Sequence, residues 1–181
     1  MNRHLYATTW TSPAFFSPGL IHADFNDLNI TVSSKEDVIS ADSDDDLKKS
    51  FGCFDFEDSH FGYYVFELAI CMTYATIRAF REKSENPWKL GGKVLAGYNR
   101  VFPLNEHELD VLFPAVASRL CVSFVFSHAH APEMIKDNEL IFFHSGLCEP
   151  LLRDMLARGR DNIVAAWRAE IAAAASEADG K

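Results

Sequence analysis

Apolar residues along this chain fall into long blocks rather than a regular strand–helix–strand rhythm. From Phe61 to about Arg81 the sequence is apolar nearly all round, which predicts a helix buried at the centre of a domain. Two short β-prone runs precede it. Ile30-Thr31-Val32 predicts a strand, and Phe51-Gly52-Cys53-Phe54-Asp55-Phe56 its returning partner, together a small β-hairpin. Between them, residues 35–49 (KEDVISADSDDDLKK) concentrate acids from Glu36 to Asp46 and predict a solvated loop. A calcium loop needs alternating ligands around a glycine, and this run has no glycine. Residues 1–20, with two prolines and no periodicity, read as a loop, the first 18 as a leader.

After the apolar block, Asn86-Pro87 and Gly91-Gly92 predict a loop. Asn105 with Glu108 forms a capping-box pattern that opens a helix near Glu106, with Asn in place of the usual Ser or Thr. Pro114 predicts a kink or restart in that helix, which runs on through Ser127. Two or three helices fill Glu139 to Ala175, broken near Gly146–Pro150 and at Gly159. The alanine-rich stretch Ala165–Ala175 reads as a surface helix with a fraying end, and residues 177–181 as a disordered tail. The expected class is α+β, mostly helical. Without βαβ alternation, a doubly wound parallel sheet is not expected.

Composition adjusts this picture in three places. At 181 residues, 48% hydrophobic and 24% charged, the chain is one domain's worth with enough apolar surface for a real core. A net charge of −9 and no run of Lys and Arg argue against a nucleic-acid partner. Cys53, Cys71, Cys121 and Cys148 are widely spaced, without a CxxC pair or zinc spacing, and read as small buried thiols of a reducing, cytoplasmic compartment. His128 and His130 do not share a helix face and suggest no metal site. The N-terminus lacks the apolar core of a secretory signal. The longest apolar candidate, Tyr63 to Ile77, is interrupted by Glu67 and Thr73, so no membrane span is expected.

The candidate chemistry lies in two segments. His22-x-Asp24-x-x-x-x-Asn29 precedes the first strand, and Asp55-Phe56-Glu57-Asp58 ends the second. Phosphoryl transfer uses this kit: one carboxylate to accept the proton of the attacking hydroxyl, and a carboxylate with an amide to hold magnesium against nucleotide phosphates. The Asp-to-Asn offset matches the kinase catalytic loop. A hairpin joining the segments would bring Asn29 and Asp55 to the same end of a ribbon. Either half alone also reads as an ordinary Asx turn. Their order, the flanking apolar strands and the buried helix that follows make the pair more specific.

The strings GLIHADFNDLNITV and FGCFDFEDSHFGYYVFELAI resemble the catalytic half of the aminoglycoside phosphotransferase and choline kinase superfamily, and within it the hydroxylysine kinase family. That family shows a His-Gly-Asp-x-Asn-Asp-x-Asn loop, an Asp-Phe-Gly-Asp metal segment and a Tyr-Tyr-Val-Phe-Glu helix start. Gly91-Gly92-Lys93-Val94-Leu95-Ala96-Gly97-Tyr98 and the helix around Ser118-Arg119 extend the likeness, which covers roughly residues 19–170. It implies a kinase-like C-lobe over 19–176, with Asp24 as catalytic base, Asn29 and Asp55 as magnesium ligands, and His22 as structural support of the loop. It further implies GTP as donor, with ATP as the alternative, and the hydroxyl of 5-hydroxy-L-lysine as acceptor. A related kinase for choline, homoserine or an aminoglycoside fits the same acidic, cation-friendly surface.

Several positions carry two readings. Ala23 stands where the family has Gly, a mild change if the backbone there is not at positive φ. Glu57 also replaces Gly, and either repels nucleotide phosphates or helps hold a cationic substrate. Asp58 binds substrate amines or caps the next turn. Glu67, a lone carboxylate in the apolar helix, needs a partner; it accepts hydrogen bonds from the catalytic loop backbone or contacts a substrate ammonium. Arg119 pairs with a substrate carboxylate or with an acid of this chain. Upstream of His22 the sequence shows no glycine-rich loop, strand lysine or partnering helix glutamate. The expectation is therefore a kinase C-lobe without its nucleotide-binding lobe, or a non-catalytic binding module derived from one.

Overall fold

The computed structural model describes residues 15–34, 36, 38, 40, 43–134 and 139–179. Residues 1–14 of the expected leader, positions 35, 37, 39, 41 and 42 of the acidic run, and the last two residues of the expected tail lie outside the described residues. The architecture is α+β and mostly helical.

The described residues form four short strands: β1 (Pro18–Ile21), β2 (Ile30–Val32), β3 (Phe51–Cys53) and β4 (His60–Tyr63). They form two antiparallel ribbons, one nested inside the other. β1 pairs with β4, Pro18 opposite Tyr63 and Ile21 opposite His60. β2 pairs with β3, Ile30 opposite Cys53 and Val32 opposite Phe51. The inner ribbon is the expected hairpin, but its returning strand ends at Cys53, and Phe54–Phe56, expected to continue it, are loop. The outer ribbon corrects two expectations, because Pro18–Leu20 is strand rather than loop, and the apolar block starts with three strand residues, Phe61–Tyr63. Tyr63 keeps extended angles (φ −115°, ψ 133°), and the helix begins only at Tyr64. The partner that holds His60–Tyr63 extended lies far away in the chain, where local periodicity does not register it.

The helices with described bounds are α1 (Asp44–Lys49), α2 (Tyr64–Arg81), α3 (Trp88–Val101), α4 (Glu106–Met134), α5 (Glu139–Arg158) and α6 (Arg160–Asp179). α1 occupies part of the acidic run expected to be loop. Ser43 explains it: its Oγ accepts Asp46 N at 3.2 Å and donates to the Asp46 carboxylate at 2.7 Å, which caps the first turn. α2 is the central helix, packed on α3, α4 and α5. Val65, Leu68, Met72 and Ile77 meet Trp88 and Leu95 of α3, Leu112, Val116 and Leu120 of α4, Leu151 and Met155 of α5, and Trp167 of α6 in one core. Thr73 and Thr76, buried on the same helix, return their hydroxyls to the carbonyls of Ala69 and Met72.

Gly91 and Gly92 are helical, not loop. A Cβ on Gly91 would lie 2.7 Å from Thr76 Oγ1 and 3.2 Å from Met72 O, and one on Gly92 3.3 Å from Trp167 Cα. The pair lets α3 lie against the backbones of α2 and α6 together. The capping box at α4 forms as expected: Glu108 N donates to Asn105 Oδ1 and Asn105 N to Glu108 Oε2, both at 3.0 Å. Glu108 Oε1 also accepts Ser17 N at 2.7 Å, tying the approach to β1 onto α4. The helix does not restart at Pro114, and the expected break near Gly146–Pro150 is absent, because Pro150 lies inside a continuous helix; the break at Gly159 is present, at φ 79°. α6 is no free surface helix, because Ile163 and Trp167 reach the core. Of the four thiols only Cys148 is buried, and Cys121 is exposed. By length and composition one helical stretch, Glu106–Phe126, could span a membrane, a candidate the apolar-run reading passed over; its Leu112, Val116 and Leu120 face the core.

Candidate active site

Nesting one ribbon inside the other sets two loops face to face: residues 22–29, between β1 and β2, and residues 54–59, between β3 and β4. His22 joins them. Its Nε2 donates to Phe54 O at 2.8 Å, so the other ring nitrogen is the acceptor and takes Asp24 N at 3.3 Å. Phe54 N donates to Asn29 O at 3.2 Å, one step beyond the last β2–β3 pair. Asn29 and Asp55 therefore stand at the same end of the inner ribbon. Asp55 terminates β3 by turning left-handed (φ 65°), a conformation that Asp tolerates better than most residues.

The first loop hangs from one face of α2. Glu67 Oε2 accepts Ala23 N at 2.7 Å and Oε1 accepts Phe25 N at 3.3 Å, so the lone carboxylate of the apolar helix meets the loop backbone. Cys71, one turn on, donates its thiol to Phe25 O at 3.3 Å, and burial first, then the Glu67 charge, push that thiol's pKa up to about 12. Between the two Glu67 bonds, Ala23 is held at φ 69°. The replacement of Gly by Ala thus falls on a left-handed residue and is not mild.

Asp24 sits at the centre. Its Oδ2 accepts the side-chain amides of Asn26 (2.9 Å) and Asn29 (3.2 Å), and both amides also reach its backbone carbonyl. Its Oδ1 accepts Arg119 from α4 in a short ion pair, with both side chains mostly shielded. Arg119 donates from the same nitrogen to the Tyr74 hydroxyl at 2.9 Å and lies over that ring. Burial works against the guanidinium charge, but Tyr74 and Asp24 outweigh it and raise its pKa above the ordinary value. Of the two readings for Arg119, the ion pair within the chain is the one formed. Tyr74 and Cys71 were not singled out from the sequence. The signal was there, since residues 67, 71 and 74 follow i, i+4, i+7 and share one helix face.

Glu57 and Asp58 occupy the exposed turn of the second loop, and no hydrogen bond between described residues joins their side chains to Asp24, Asn29 or Arg119. His60 donates from Nδ1 to Asp58 O at 2.9 Å. Among the described residues no cluster of three or more His, Cys, Asp and Glu converges as a metal site. Asn29 and Asp55 nevertheless fit a magnesium ion of the kind that relies on phosphates and water for its remaining ligands. The Asn29 amide nitrogen is committed to Asp24, which turns the amide oxygen away from it, and the Asp55 carboxylate is exposed at the same ribbon end. Beside this centre, α2 and α4 enclose a cleft of about 340 Å³, lined by Phe66, Ile70, Val111, Ala115, Arg119 and Val122 among others.

Comparison with known proteins finds hydroxylysine kinases. The chain is 38% identical over 129 residues to the hydroxylysine kinase of Bos taurus, 34% over 146 residues to that of Danio rerio, and 40% over 118 residues to that of Xenopus laevis. These matches take in 71%, 81% and 65% of this chain. The chain is a relative of the hydroxylysine kinases. It matches 32%, 38% and 29% of the three relatives' own lengths, so it spans about a third of a hydroxylysine kinase. No family model matches the chain, and no solved structure does.

Proposed function

We propose that this chain carries the phosphoryl-acceptor half of a hydroxylysine kinase-type reaction, the transfer of the γ-phosphoryl group of GTP to the hydroxyl of 5-hydroxy-L-lysine. The observation that supports it most is the convergence of Asp24, Asn29 and Asp55 at one end of the nested ribbons, with the loop suspended from Glu67. Asp24 takes the proton of the substrate hydroxyl, and His22 and Glu67 hold the loop that presents it. Asn29 and Asp55 would hold magnesium, which supplies charge neutralisation at the phosphates when bound. The exposed carboxylates of Glu57 and Asp58 offer counter-charge to a cationic acceptor. ATP is the alternative donor, and choline, homoserine and aminoglycosides are the alternative acceptors.

Asp24→Asn keeps the shape of the side chain and removes the base. With GTP, magnesium and 5-hydroxylysine, the variant should lose about 10²–10⁴-fold in kcat relative to the unaltered chain. Equal turnover by the two proteins would remove Asp24 from the reaction. A second reading, a binding module without turnover, rests on the occupancy of both Asp24 oxygens by Arg119 and the two asparagines. Acceptor binding by the unaltered chain without transfer from GTP or ATP would support it.

A further inference from the structure

Arg119 is satisfied on one side only. One terminal nitrogen serves both Asp24 and Tyr74, while Nε is buried and has no hydrogen-bond partner among the described residues. A guanidinium offers five N–H donors in a planar fork. The same side chain lines the cleft between α2 and α4, whose remaining walls are mostly apolar: Phe66, Ile70, Val111, Ala115 and Val122. One cation in an otherwise apolar cleft selects a ligand with an apolar body and an anionic end. Guanidinium matches carboxylate bidentately, which the ammonium of lysine does not.

We propose that Arg119 is the specificity-determining residue of the acceptor site: it binds the α-carboxylate of a hydroxylated amino acid lying in the α2–α4 cleft while keeping its bond to Asp24. The proposal rests on the acceptor reading above and narrows it, from small cationic alcohols in general to amino acids with a free carboxylate. In 5-hydroxylysine three carbons separate the carboxyl carbon from the hydroxyl-bearing one. A carboxylate held at Arg119 thus directs the hydroxyl toward the neighbouring Asp24. Choline, which has no carboxylate, gains nothing from this contact.

Calorimetric titration of the full chain with 5-hydroxylysine and with its carboxamide, which keeps the shape and loses the negative charge, tests the assignment without requiring turnover. The unaltered chain should bind the acid at least tenfold more tightly than the amide. Arg119→Gln should bring the two affinities together. Because Arg119 also holds Asp24, Ala115→Glu provides a second variant that leaves the arginine in place. A glutamate four residues before Arg119 on the same helix competes for the guanidinium and should weaken binding of the acid more than that of the amide. Equal binding of acid and amide by the unaltered chain, or tenfold discrimination retained in Arg119→Gln, overturns the role of Arg119 and leaves the kinase reading standing. Binding of neither ligand overturns the acceptor assignment as well.

Discussion

At the scale of single residues, Ala23 is the strained point of the loop. Left-handed backbone costs an L-residue about 1–2 kcal/mol, and two Glu67 hydrogen bonds hold Ala23 there at φ 69°. Ala23→Gly removes that cost but gives back some entropy to the unfolded chain, so it should stabilise by about 0.5–1 kcal/mol. The shift of the urea midpoint measures it, and a lower midpoint would mean that the alanine methyl contributes packing that outweighs the strain. The sequence made much of this loop legible. A single acid in an apolar helix had to find a partner, and Glu67 found the loop backbone. The Asp24–Arg119 contact was less legible, because a pair 95 positions apart leaves no local pattern. The sign of φ at residue 23 depends on how Glu67 grips its neighbours, which no propensity encodes.

At the scale of elements, the glycines of α3 separate packing from propensity. Gly91 is pressed against Thr76 and Met72, whereas a Cβ on Gly97 would meet nothing within 4 Å. Both lie inside one helix, so alanine improves intrinsic helix propensity by the same amount, up to about 1 kcal/mol. Gly97→Ala should therefore stabilise by about 0.5–1 kcal/mol, while at Gly91 the displaced Thr76 hydroxyl should turn the change into a loss of about 1–2 kcal/mol. Thermal melts of the two variants must move in opposite directions; parallel shifts would rule out close approach as the reason for Gly91. The Gly-Gly pair reads as a loop only because its reason lies on α2 and α6. The same limit applies to His60–Tyr63, drawn into a strand by β1, and to Pro150, which stays inside a continuous helix. Elements defined by local chemistry fared better: the Asn105–Glu108 cap, the stop at Gly159 and the inner ribbon are where the sequence puts them.

At the scale of the whole molecule, polar links tie the helical layer together. Trp167 Nε1 donates to Trp88 O at 3.2 Å, and Trp88 Nε1 to Asp154 Oδ2 at 2.7 Å, linking α6 to α3 and α3 to α5. Burial pushes the Asp154 carboxyl up, but hydrogen bonds from Arg158 and Trp88 prevail and hold it below its ordinary 3.8. A carboxyl lowered on folding contributes its full stability above that ordinary value and loses it as the pH falls through the lowered one. Asp154→Asn should cost about 1 kcal/mol at pH 7 and less below pH 3, so the two proteins should converge in denaturation midpoint on acidification. A difference that persists undiminished at pH 2–3 would assign the effect to shape rather than charge. The nested register of the ribbons also orders events in time. The inner pair closes a shorter stretch of chain, and once closed it shortens the effective loop left for the outer pair, so loop-closure entropy favours zipping outward. Both site loops lie between those successive closures, so the same entropy favours their taking shape together, as the outer pair closes.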